Sequence, residues 1–79
     1  MHWLRKDDTD QWAVFVPYGD LHVHVYALFV GQYIDELMPV ARARAEYRAL
    51  LNDGWQKITE DERKAAQMDL HCLKCMIYN

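Results

Sequence analysis

His22 and His24 flank a single valine in "GDLHVHVYALF", and Cys72 and Cys75 are separated by two residues in "MDLHCLKCMIYN". Two imidazoles and two thiolates form a donor set that zinc accepts in tetrahedral geometry. On a strand the two histidine rings share one face, and on a helix the two sulfurs are neighbours across one turn. His71 and Cys75, four apart, offer an alternative pair on that helix. Zinc cysteine pairs usually sit in tight knuckles, however, and a single pairing of this kind is weaker evidence than two spaced knuckles. The competing reading is packing: Cys72 as a small apolar residue, Cys75 bordering it, and both histidines on a solvated sheet face. Packing is the expected arrangement, with no cofactor and zinc as the alternative.

Other chemistry has less support. A redox role for "CLKC" would need the attacking thiol near a helix amino terminus, whereas these cysteines fall toward a carboxyl end, where the dipole opposes a thiolate. Asp7, Asp8 and Asp10 could face a hard cation but lack the glycine and distal glutamate of a calcium loop. The chain has no serine, no P-loop and no dinucleotide fingerprint. Catalysis has no sequence support, and the protein is expected not to be an enzyme.

The elements that position these residues follow from period and punctuation. The 79 residues form one domain with a thin core, since a chain of this length buries only roughly 60 to 65% of its unfolded surface. Hydrophobic residues make up 52%, too many for a disordered chain. Two apolar, β-branched and aromatic runs flank Tyr18-Gly19-Asp20 and predict a hairpin, with Pro17 at a strand end. Residues 2–5 before "KDDTD" could add a third strand. In the second run Leu21, Val23, Val25, Ala27 and Phe29 share one face, expected to be the core; His22, His24, Tyr26, Leu28 and Val30 share the other.

From Gln32 onward "YIDELM" reads as a turn or helical lead-in, and Pro39 as the start of a helix. Val40, Ala43, Tyr47, Leu50 and Leu51 fall in one stripe, and Gly54 is the natural stop. Thr59 and Glu62 predict a capping box, so a second helix starts at Glu60. Its apolar arc from Ala65 to Ile77 contains Asp69, whose carboxylate would need a partner such as Arg44 or Arg48. The expected fold is α+β: an antiparallel β-hairpin or three-stranded meander followed by two helices, ββαα or βββαα. Two helices are expected to cover one sheet face and leave the other for a partner.

Net charge is −3, which disfavours nucleic acid and anionic membranes as partners. No run approaches the ~20 apolar residues of a membrane span, no secretion signal is evident, and a reduced cysteine pair fits a cytoplasmic location. Arg42, Arg44 and Arg48 are the one basic cluster; Arg42 is placed to pair with Glu46, and a phosphate contact is the nucleic-acid alternative. Ten aromatic residues, seven of them in the first 33, are of the types that dominate binding hot spots. The expected function is therefore a small protein-binding module. It would act as a homodimer or as a regulator or inhibitor docked on a larger protein, of the phage or mobile-element type. Its contact residues would be Trp12, Phe15, Tyr18, Tyr26, Arg42, Arg44 and Arg48.

Overall fold

The computed structural model describes residues 1–7 and 9–78. The elements are β1 (His2–Arg5), β2 (Trp12–Tyr18), β3 (His22–Phe29), β4 (Gln32–Pro39), α1 (Val40–Asn52), β5 (Gln56–Ile58), α2 (Glu60–Ala65) and α3 (Leu70–Tyr78). The strands form one antiparallel sheet in the order β4-β3-β2-β1-β5. This is the expected α+β meander followed by helices, with residues 2–5 as a strand and the β2–β3 hairpin turning at Gly19, where φ is 68°.

The stretch read as a helical lead-in is instead strand β4. Phe29 pairs with Gln32, so Val30 and Gly31 make a two-residue hairpin loop, and Gly31 supplies its positive φ of 81°. In β4, Ile34 and Met38 then point to the core while Tyr33, Asp35 and Leu37 point to the opposite face. Charged residues and a terminal proline suit this strand because it lies at the sheet edge. The carbonyl of Leu21 accepts from the Val40 amide at 3.0 Å, which satisfies one free donor of α1 where Pro39 offers no side-chain cap.

Both sheet faces are covered, contrary to the expectation that one would stay open. On the first face Leu4, Ala13, Phe15, Val25, Ala27 and Met38 pack with Ala43 of α1 and with Trp55. On the second, Trp3, Trp12, Val14 and Tyr26 pack with Met68 and with Leu73 and Ile77 of α3. Between the two faces the chain passes through β5, a strand that pairs with β1 at the sheet edge and was not legible in the sequence.

Helix ends explain the remaining differences. Gly54, at φ 92°, closes α1 in a Schellman arrangement: its amide donates to Leu51 and the Trp55 amide donates to Leu50. The expected single helix after Thr59 breaks in the same way. The capping box forms, with the Glu62 amide donating to Thr59 Oγ1 at 3.1 Å. After one and a half turns, however, Gln67 takes φ 57°, and the Met68 amide donates back to the Arg63 carbonyl at 3.1 Å. Met68 is buried by this reversal, and Arg63 Nη1 donates to its carbonyl at 2.6 Å. Asp69 is thus exposed rather than buried. It makes no ion pair with an arginine among the described residues and caps α3 by accepting from the Cys72 amide at 2.7 Å, a contact that lowers its pKa.

A left-handed conformation costs a side-chain-bearing residue roughly 1–2 kcal/mol. Gln67→Gly should therefore raise unfolding stability by about 1 kcal/mol, and Gly54→Ala, whose added Cβ would meet no atom within 4 Å, should lower it by about as much through the backbone alone. Urea unfolding of the two variants tests both signs; a stabilised Gly54→Ala or a destabilised Gln67→Gly would contradict the reading of these two ends.

Candidate functional site

α1 packs on β3 and β4 and leaves one end of its sheet face uncovered over β2, β1 and β5. The floor of the resulting cleft is set by register: His2 lies opposite Phe15 and Pro17 opposite Val23, all on the α1 side of the sheet. Val40, Ala43 and Tyr47 form one wall. The Tyr47 ring stands edge-on to Phe15 at 5.3 Å and to His2 at 6.1 Å, which fixes the back of the cleft. Its volume is about 530 Å³, within the range of sites that hold a single ligand group.

The rim is cationic. Arg44 and Arg48 follow one another at a helical turn along α1, and Lys57 of β5 faces them from the other side. No carboxylate lines the cleft, and none of these three cations pairs with one among the described residues. Arg42 differs: its Nη1 lies 2.6 Å from Glu36 Oε2 on β4, rather than pairing with Glu46, because β4 runs alongside the first turn of α1. An apolar floor ringed by unpaired cations, in a chain of net charge −3, is suited to an apolar group carried beside negative charge.

A second cluster lies on the opposite sheet face. His24 stacks on Tyr26, with ring centroids 4.2 Å apart and planes 7° apart, and its Nε2 lies 2.6 Å from Asp35 Oδ1 on β4. The Tyr78 hydroxyl donates to the other oxygen of Asp35, and Lys74 Nζ sits 4.9 Å above the Tyr26 ring. Asp35 therefore ties the carboxyl end of α3 to two strands. The Tyr78 hydrogen bond is the main cause that holds the Asp35 carboxyl below its usual pKa, followed by the bond to His24, while desolvation opposes them. The same hydrogen bond, with desolvation behind it, pushes the Tyr78 phenol up to about 12.

The sequence-derived candidates separate accordingly. Phe15, Arg44 and Arg48 meet at the cleft. Trp12 and Tyr26, expected to be exposed contact residues, are buried, because α3 covers the face on which they lie. Tyr18 is exposed at the end of β2 and does not line the cleft. Of the zinc candidates, His22 is exposed at the start of β3 and His24 is engaged by Asp35. Cys72 packs beside the second core cluster, and Cys75 is exposed with its sulfur 3.6 Å from His71 Nε2. The four are not brought together, and no group of three or more potential ligands gathers among the described residues. Of the acidic trio, Asp8 lies outside the described residues. The sequence reading missed His2, Tyr47 and Lys57 as cleft residues. Lys57 could be placed there only once β5 was known to return to β1, and the opposition of His2 to Phe15 is a matter of register.

The clasp has a definite pH dependence. Asp35, with a lowered pKa, contributes stability that is fully present above its unfolded value near 3.8 and is lost as pH falls through its folded value. Tyr78, with a raised pKa, contributes below its usual value of 10.0 and loses that contribution as pH rises through about 12. Asp35→Asn should bring one tyrosine titration back toward 10.0 in an ultraviolet absorbance titration. An unchanged curve would sever the link between the two residues.

No helix among the described residues is long and apolar enough to cross a membrane. No protein-family model, curated protein or solved structure matches the chain.

Proposed function

We propose that the chain is a small, non-enzymatic protein-binding module that regulates or inhibits the protein it engages, acts in the cytoplasm, and docks through the cleft between α1 and the sheet. The observation that carries this reading is the apolar cleft rimmed by Arg44, Arg48 and Lys57, with no carboxylate among the described residues to satisfy them. Its occupant is a side chain of a partner protein, apolar at its tip and flanked by acidic residues. Burying a Leu- or Phe-sized anchor contributes about 1.5–3 kcal/mol. Each rim charge pair adds about 0.2–1 kcal/mol while exposed, and more as the contact desolvates. The charges do most for selection and rate of encounter, since partners of the wrong sign are repelled from the same rim.

The test is a comparison of proteins retained from a cell extract by the wild-type chain and by Arg44→Glu/Arg48→Glu, quantified by mass spectrometry. Both arginines are exposed and unpaired among the described residues, so the variant should keep its unfolding midpoint. Retention of the specific partner should fall at least about tenfold, the equivalent of about 1.4 kcal/mol. A partner retained equally by both proteins would place the contact elsewhere, and the absence of any specific partner would remove the reading.

A further inference from the structure

We propose that the cleft of one copy receives the acidic tip of a second copy, so that the chain associates head to tail. This rests on the cleft being a protein-docking site and names its occupant. The tip is the β3–β4 turn together with the described residues of the β1–β2 loop, at the far end of the sheet. They lie side by side, since Asp10 and Gln11 of the loop and Phe29 and Val30 of the turn line one shallow depression. Val30 is 84% exposed, more than any other large apolar side chain described, and Gly31 beside it holds the turn that projects it. Asp7 and Asp10 are exposed on the neighbouring loop, and neither pairs with a cation among the described residues.

The two ends are complementary. One is an apolar floor inside unpaired cations; the other is an apolar knob beside unpaired carboxylates. Each holds charges that no ion pair among the described residues neutralises, and their signs are opposite. Their positions also fix the symmetry. β2 runs from Trp12 near the tip to Pro17 in the cleft, and β3 returns from Val23 in the cleft to Phe29 at the tip. Cleft and tip thus sit at opposite ends of the same strands. An interface that joins two different patches is heterologous, and its repetition gives a ring or an open chain rather than a closed pair made of one patch.

Sedimentation velocity of the full chain over a range of concentrations reads this directly. The wild type should grow beyond a dimer as concentration rises, and added salt should shift the association to higher concentration. Arg44→Glu/Arg48→Glu removes the cleft, and Asp10→Lys/Val30→Lys removes the tip. Each alone should weaken self-association at least tenfold. Mixed in equal amounts, they should associate with each other, because the pair retains one working cleft and one working tip. Circular dichroism of each variant establishes that it is folded, and Asp10→Asn/Val30→Ser replaces the tip variant if it is not. A wild type that stays monomeric at every concentration overturns the proposal, as does a mixture that fails to associate or a dimer untouched by either variant. A monomer that still loses an extract partner on Arg44→Glu/Arg48→Glu overturns self-docking while leaving the protein-binding reading in place.

Discussion

Apolar side chains on both faces of the two central strands are the constraint from which the rest of this structure follows. Ala13, Phe15, Val25 and Ala27 project to one side, and Trp12, Val14 and Tyr26 to the other; all are buried. Neither face can be left in water, because each buried aliphatic or aromatic side chain contributes on the order of 1.5–3 kcal/mol and a chain of this length has few of them. One helical layer cannot supply both faces. The chain therefore places α1 on the first, crosses the edge of the sheet as β5, and covers the second with Met68 and α3.

The cleft is a geometric consequence of that division. Five strands at about 4.8 Å spacing present a face about 19 Å across, whereas a helix with its side chains is about 10 Å wide. α1 sits over β3 and β4, and Trp55 with Leu50 and Leu51 fills one end of what remains. The other end keeps Pro17 and Val23 partly open beside the buried ring of Phe15. What makes the opening more than a packing residue is its charge. Arg42, Arg63 and Lys6 pair with Glu36, Glu60 and Asp53. Arg44, Arg48 and Lys57 instead frame the apolar floor without internal partners among the described residues.

The second face is finished differently. α3 is only nine residues long and follows a break, so its own hydrogen bonds hold it weakly. Leu73 and Ile77 seat it in the core, Asp69 caps its start, and Tyr78 reaches Asp35 at its end. Asp35 thus anchors the end of α3 to the sheet. The ring of His24 is stacked on Tyr26 and its Nε2 faces Asp35, which leaves that nitrogen committed within the fold.

Local chemistry made a large part of this legible from the sequence alone. Glycine at 19 and 54, the Thr59–Glu62 box and the alternation of β3 from Val23 to Phe29 each act through neighbours along the chain and formed as expected, whereas Leu21, expected on the core face, precedes the strand and is exposed. The α+β class and the antiparallel meander followed from them. Tertiary structure decided what depends on distant partners. "QYIDELMP" became a strand because β3 offered it a ladder, β5 formed because β1 did, and Gln67 accepted a left-handed conformation because Met68 could be buried by it. The same holds for the site. Arg44 and Arg48 could be paired in advance by helical spacing, but Phe15, His2 and Lys57 join them only through strand register, which is set by hydrogen bonds between segments that the sequence places up to 55 residues apart, as with Trp3 and Ile58.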